Sequence, residues 1–520
     1  VAEAVLALRT PEVLDPLFAQ AGAEFGVPAE LLKAVAYAEA RWEMVQGAPE
    51  HEGQLTVHGL MGLKGPRLRE AARLAGVSEE AASGEPRSNI RAAAALMASD
   101  ARRLGIDAAR LDAWAPVVAR YSGIRAVEGQ AAYVHHDVYA VLRQGAVALT
   151  PRGDTAVSLT PVAVEPRFTP PRDAGAAAPG GGAGPQTDYA FALWRPSPSR
   201  SERPATRGGV PSMIVIHTCE GGYTPCWSWL VDPAARASSH YVVREDGREV
   251  AQLVRERERA WHVGATYDCA HNGGQECWRN GSSVNNFSVG IEHAGYASQA
   301  AFPEAQLEAS ARLACDVSRR LAIPRDRFHV LGHAQLQPYN RGDPGPAWPW
   351  ARYLARVQEH CSTGGLIVDS NDAYNDPSRA RVQVGEGWAA SDAEAGFYGS
   401  GYWSAPAAPV ADGASFWFHL PEGGTHTLDA WWTAGEDRSA RTPFVVLDGE
   451  GRRLGAVEAD QRSGGARWNA LGTWTFPRGW SRVVVSRWAA DAAGAHAGRG
   501  VHGAREVREV RVVADAVRVR

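Results

Sequence analysis

Residues 213–217 read MIVIH, four apolar residues that close on a histidine. A short apolar run without helical period reads as a buried strand, and His217 stands at its end. Residues 240–254 then read HYVVREDGREVAQLV, two apolar runs around Asp246-Gly247, a pair suited to the tight turn of a hairpin. In FSVGIE, residues 287–292, Phe287, Val289 and Ile291 fall on one face and Ser288, Gly290 and Glu292 on the other, so Glu292 is expected to point away from the buried layer. Helical stretches separate these runs. From about Asp188 to residue 364 the pattern therefore predicts an α/β fold, a mixed sheet covered by helices.

Outward from this stretch the composition changes on both sides. Residues 1–149 are rich in Ala and Leu at helical spacing, for example Leu31, Leu32, Val35, Ala38, Glu39 and Trp42, and predict an all-α unit. Residues 150–187 become rich in Pro, Gly and Ala, with APGGGAGP near their end, and offer no periodic apolar face, so a flexible linker is expected. From residue 365 to 520, short alternating segments such as FWFHL, LDAWW, FVVLD and VVVSRW are punctuated by Gly and Pro, which predicts an all-β sandwich. A chain of 520 residues is too long for one core, and three domains agree with a prior of about 150 residues each.

Charge and cysteine usage narrow the function. The net charge is −4 with both signs interspersed, which argues against a nucleic-acid partner. The longest charged run, Arg255 to Arg259, alternates in sign and reads as a solvated strand edge or loop. No stretch is apolar and long enough to span a membrane. The chain begins at Val1, which fits the removal of a targeting peptide. Its six cysteines, Cys219, Cys226, Cys269, Cys277, Cys315 and Cys361, lie in one region and lack C-x2-C spacing, favouring disulfides in an oxidising compartment over a zinc cluster. Among fifteen pairings, the expected set is Cys219–Cys226, Cys269–Cys277 and Cys315–Cys361.

Three features converge in the central region: His217 at a strand end, GHAQLQPYNRGDPG with His333 and Asp343, and Glu292. Catalytic zinc uses three protein ligands and an open position, and His217, His333 and Asp343 would supply the three. Pro344 pushes Asp343 towards extended geometry, from which its carboxylate can turn back to the strand ends.

In order, MIVIHT, SSHYVVREDG, AWHVG, NNFSVGIE and GHAQLQPYNRGDPGPAWPW resemble the type 2 N-acetylmuramoyl-L-alanine amidases, over roughly residues 210–360. That resemblance implies one zinc ion on His217, His333 and Asp343, with Glu292 as the general base. Arg341 would be the cation that stabilises the tetrahedral oxyanion. Many members have lysine at that position, so Arg341 keeps the charge but changes its shape. His262 and Asn286 match positions that line the family's substrate groove, while His240 and His293 read as structural. Two alternatives stay open: a recognition protein that binds muropeptides without cutting, and a zinc peptidase acting within the stem peptide.

The front of the chain raises a second possibility. EFGVPAELLKAVAYAEARW places Glu39 on the apolar face of a helix, where burial would raise its pKa and suit it to act as an acid. AYAEAR, HGLMGL, EPRSNIRAAAALM and ARYSGI resemble, over residues 15–145, lytic transglycosylases and goose-type lysozymes. The resemblance implies Glu39 as the sole catalytic acid and base, with a glycan-binding domain of lysozyme-like fold as the alternative. Ala40, Gly62 and the YSGI motif at Tyr121 depart from the family pattern. At the other end, IVDSNDAYND, GFYGSGYW, DQRSGGARWNALGTWTF and VVADAVRV resemble the golvesin-like C-terminal domain, implying a targeting or attachment module. Trp431 and Trp432 fall on opposite faces of one strand, so at least one of them is a candidate sugar-stacking platform or exposed adhesive patch. Together these readings predict a secreted, periplasmic or cell-envelope bacterial protein acting on peptidoglycan.

Overall fold

The computed structural model describes residues 4–49, 51–169, 187–189, 191–362, 365–372, 375, 377–399, 401–489 and 509–520. Its contacts divide the chain into two units. The first comprises residues 1–245, 250–306 and 316–354, and the second residues 246–249, 307–315 and 355–520.

In the first unit, helices Asp15–Phe25, Ala29–Ala40, Gly65–Ala75 and Pro86–Leu104 bury a common core that includes Phe18, Leu31, Leu32, Val35, Ile90 and Trp114. The helix Ala29–Ala40 follows the expected periodicity, with Leu31, Leu32, Val35 and Glu39 all on its buried face. Two small sheets correct the all-α expectation. Ala146–Leu149 pairs in parallel with Ala4–Ala7 and antiparallel with Thr155–Leu159, and Val57–His58 pairs with Leu63–Lys64. These apolar runs are too short for stable helices, and each is stabilised by a strand partner instead. The expected linker is corrected at its start for the same reason, since Thr155–Leu159 is sheet. The APGGGAGP stretch lies outside the described residues.

The same unit holds a six-stranded mixed sheet in the spatial order Val330–Gly332, Met213–Thr218, Ser288–His293, Tyr241–Val243, Val250–Gln252, Ala192–Trp194. All neighbours run parallel except the hairpin pair Tyr241–Val243 and Val250–Gln252, whose turn carries Gly247 at φ 71°. Parallel strands in the middle of such a sheet are covered on both faces, which is why every residue of Met213–Thr218 and of Ser288–His293 is buried. The charged run is less solvated than expected, for Glu256 is buried and accepts hydrogen bonds from the Tyr241 hydroxyl at 2.6 Å and from Arg320.

The second unit is β-rich. A five-stranded sheet contains Gly413–Leu420 and Gly479–Ser486, and a four-stranded sheet contains Gly424–Trp431 and Ala516–Val519. Phe416, Phe418 and Val483 from the first meet Leu428, Ala430 and Val517 from the second in one core. Trp431 and Trp432 are both buried, which corrects the stacking-platform expectation. The strand ending at Trp431 lies inside its sheet, and the two indoles donate to the carbonyls of Gly396 at 2.8 Å and Ser463 at 2.9 Å. The three disulfides are Cys219–Cys226, Cys269–Cys277 and Cys315–Cys361, the two local pairs expected from spacing and the pair that then remained.

Candidate active site

Strand register builds the first half of the site. In the parallel pair Met213–Thr218 and Ser288–His293, Glu292 lies directly opposite His217, so their side chains share one face at the strand ends. On the other flank of Met213–Thr218, Gly332 stands opposite Ile216, and the chain turns there into a short helix that begins at His333. Two histidines from neighbouring strand ends thus arrive side by side, with ring centroids 4.7 Å apart.

Asp343 completes the cluster from the following loop, which is drawn back by a hydrogen bond from the Ala334 amide to the Asp343 carbonyl at 2.9 Å. Asp343 Oδ2 lies 2.9 Å from His217 Nδ1 and its Oδ1 lies 3.2 Å from His333 Nδ1. One donor atom from each of the three falls within 4.8 Å of the others, and all three residues are buried. Asp343 Oδ1 is buried, and its contact with His333 Nδ1 falls short of a well-formed hydrogen bond, which suits an acceptor directed at a cation. Two imidazoles and one carboxylate are also a donor set that suits zinc.

Glu292 is buried, not exposed as its alternation pattern predicted, because a segment distant in sequence covers that face of the sheet. Burial lifts its carboxyl to about 7; the Asp343 charge adds to the rise, while His217 and His333 oppose it. Asp343 behaves differently. Burial again penalises its charge, but His333 and His217 outweigh that penalty and hold it well below the ordinary carboxylate range.

Residues 207–346 match the family described as N-acetylmuramoyl-L-alanine amidase. N-acetylmuramoyl-L-alanine amidase A of Achromobacter lyticus is 30% identical over 184 residues, which span 32% of this chain and 93% of that protein. The chain belongs to the N-acetylmuramoyl-L-alanine amidase family. A second relative, the 1,6-anhydro-N-acetylmuramyl-L-alanine amidase AmpD of Citrobacter freundii, is 31% identical over 180 residues, 31% of this chain and 88% of that one. A solved structure of an AmpD derivative is 29% identical and covers 32% of this chain and 96% of its own, at a TM-score of 0.27. Residues 373–520 match the golvesin C-terminal domain.

Around the amidase cluster, the remaining expected residues divide. His262 is buried with its Nδ1 2.9 Å from His217 Nε2 and its Nε2 3.1 Å from the Ser288 hydroxyl, so it packs beneath the cluster. Asn286 is not brought to the cluster by any described hydrogen bond. Its neighbour Asn285 does the holding, accepting from the amides of His262 at 3.2 Å and Val263 at 2.8 Å. Arg341 donates to the Asn340 carbonyl at 2.9 Å, and its charge is felt at His51. His240 and His293 are structural, as expected: His240 Nδ1 accepts from the Gly290 amide at 3.0 Å, and His293 Nδ1 donates to the His217 carbonyl at 2.9 Å.

Glu39 belongs to the helical part of the same unit. It is 4% exposed and accepts a hydrogen bond from the Tyr133 hydroxyl at 2.5 Å. Burial raises its pKa, against the opposing effects of the Lys64 charge and the Tyr133 hydrogen bond. Gly62, a departure from the transglycosylase pattern, has φ 61°, and a Cβ there would stand 2.4 Å from Glu39 Oε2. The carboxylate therefore occupies the space that a side chain at this position would need. Tyr121 of YSGI donates to the Met61 carbonyl at 2.6 Å and fixes the strip beside it.

Sequence reasoning missed His51 and Glu220. His51 Nε2 approaches Glu292 Oε1 at 3.4 Å, and burial together with the charges of His333 and Arg341 lowers the His51 pKa to about 3, with Asp343 opposing. Glu220 accepts from the amides of Ala48 at 3.0 Å and Ala297 at 2.7 Å. Neither residue carries a local signal, since each acts through a segment far away in the chain. Asn285 could have been found from the Asn-Asn doublet before the strand.

Proposed function

We propose that the chain hydrolyses the amide bond between N-acetylmuramic acid and the L-alanine of the stem peptide in peptidoglycan, using one zinc ion. The observation that carries this reading is the convergence of His217, His333 and Asp343 within 4.8 Å, with Glu292 beside His217 in strand register. When bound there, zinc would polarise the amide carbonyl and acidify water. Glu292, with a pKa near neutrality, is suited to take a proton from the attacking water and hand it to the leaving alanine nitrogen. Arg341 would stabilise the negative charge that develops on the carbonyl oxygen. The contacts of the two Asp343 carboxylate oxygens with Nδ1 of His217 and Nδ1 of His333 orient both imidazoles, so the ligand set is preorganised before a metal enters.

Mass spectrometry of soluble products from purified peptidoglycan tests the reading. Free stem peptides that disappear on chelation and return with zinc are expected. Products cut within the stem peptide would instead favour a peptidase, and no soluble peptide from zinc-loaded protein would favour a recognition module.

A second reading concerns the helical segment. Buried Glu39, with its raised pKa and a tyrosine hydroxyl on its carboxylate, supports glycan-strand cleavage by one acid and base that gives a 1,6-anhydro product. The AmpD relative, named for a 1,6-anhydro-N-acetylmuramyl substrate, supports such a product as compatible with the amidase centre. Anhydro-muropeptides that vanish in Glu39→Gln test it. Three disulfides and the cell-wall substrate support a site of action in the periplasm, the envelope or outside the cell, with the golvesin-like domain as attachment module.

A further inference from the structure

A cavity of about 300 Å³ lies between the helical segment and the amidase sheet, and both buried glutamates reach its wall. Glu39 comes from the helix Ala29–Ala40 and Glu292 from the strand Ser288–His293. Leu55 and Lys64 line it from the helical side, with His51 and Trp229 between. The two walls are tied by specific hydrogen bonds. The Tyr296 hydroxyl, four residues beyond Glu292, donates to the Glu39 carbonyl at 2.9 Å, and Gln54 Nε2 donates to the Cys219 carbonyl at 2.9 Å. The Ala48 amide donates to Glu220 at 3.0 Å, and the His51 ring lies 5.5 Å from that of Trp229. The separation of the two carboxylates is thereby set by the fold and not by a mobile tether.

We propose that this cavity is one binding site for a single N-acetylmuramoyl residue that still carries its stem peptide, with the lactyl amide at the Glu292 end and the glycosidic oxygen at the Glu39 end. The inference rests on both readings above, amide hydrolysis and glycan-strand cleavage. A muramoyl residue is the sugar of peptidoglycan that bears both scissile bonds, and they leave the same pyranose ring. The volume falls at the lower end of the ~300–1,000 Å³ of small-ligand pockets, which suits one sugar and its lactyl arm. Trp229 and Leu55 offer apolar surface to a sugar face, and Lys64 and the two carboxyls supply directional polar groups.

The two reactions balance separately. At the Glu39 end the carboxylic acid protonates the leaving glycosidic oxygen, the C1–O bond breaks, the residue's own O6 bonds to C1, and the O6 proton returns to Glu39. At the other end the water oxygen bonds to the lactyl carbonyl carbon and the C–N bond breaks. Both water protons end on the alanine amine and a lactyl carboxylate remains. A residue bound for one cut is already in place for the other, so the second step gains the advantage of an intramolecular event.

The test is digestion of insoluble peptidoglycan at low conversion, with mass spectrometry of the soluble products. The intact chain is compared with an equimolar mixture of Glu39→Gln and His217→Ala at matched totals of amide and glycan cleavage. Peptide-free anhydro-disaccharide is expected to exceed the mixture's yield by about tenfold or more, the effect of a high effective concentration. Equal yields overturn the shared site, as does an intact chain that cuts no glycan. Free stem peptide without the excess leaves the amide reading standing and overturns only this inference, whereas absent stem peptide overturns both. Should a variant fail to fold, the intact chain alone serves: doubly cut product no greater than the product of its two single-cut fractions overturns the proposal.

Discussion

Glu292 and Glu39 are both buried glutamates with raised pKa values, yet they are assembled by different means. Glu292 takes its neighbours from a parallel sheet, where the hydrogen-bond ladder sets His217 beside it and His333 one strand further on. Glu39 stands on a helix, where the ladder runs within the element and supplies no lateral partner, so its contact is a tyrosine 94 residues away. The sheet can gather several candidate metal donors at one set of strand ends, while the helix presents a single buried acid held by a tyrosine hydroxyl. Similar burial therefore supports two chemistries, one that calls for a base beside a metal centre and one that calls for a protonated acid.

The sharpest way to break this contrast is to remove the metal donors. His217→Ala, or chelation, should reduce stem-peptide release to background and lower bound zinc measured by atomic absorption; persistent release from metal-free protein would abolish the distinction. Next in size, Glu292→Gln should slow stem-peptide release by about 10²–10⁴-fold and Glu39→Gln should lower anhydro-product formation by a similar factor, each followed by its own product. Arg341→Ala should cost about 10²–10³-fold in kcat for amide cleavage, and Arg341→Lys should restore most of it.

The pH dependence should separate the two carboxyls by sign. Under the proposed mechanism Glu292 acts deprotonated, so amide cleavage should fall as pH drops below about 7. Under the glycan-cleavage reading Glu39 acts protonated with a raised pKa, so that activity should be present at low pH and lost as pH rises through the raised value. Profiles that move together would show that the two groups do not control separate steps. The smallest effect expected is on stability: Gly62→Ala meets Glu39 and a positive φ, and should destabilise the first unit by about 1–3 kcal/mol, read as a lower Tm.

Much of this was legible in the residues themselves. The strand ending at His217, the hairpin around Gly247, the amphipathic helix that buries Glu39 and the two local disulfides Cys219–Cys226 and Cys269–Cys277 follow from spacing within short stretches, whereas Cys315–Cys361 was simply the pair left over. Period and turn chemistry are local properties, and these features depend on little else. Where the reading failed, coverage by a distant segment was the reason. Alternation placed Glu292 on an outward face, but it does not reveal whether another part of the chain covers that face. The adjacent indoles of Trp431 and Trp432 failed likewise, since two faces of a strand are distinguishable from sequence but their burial is not.

The sequence by itself determined the kinds of element and singled out the candidate donors, because hydrophobic period and side-chain chemistry are carried by neighbouring residues. Only the tertiary structure decided that Asp343 turns back onto two histidines from separate strand ends, that His51 reaches Glu292 from more than 200 positions away, and that one cavity receives both glutamates. Those relations join residues far apart along the chain, and packing alone sets the distances and the desolvation on which their chemistry depends.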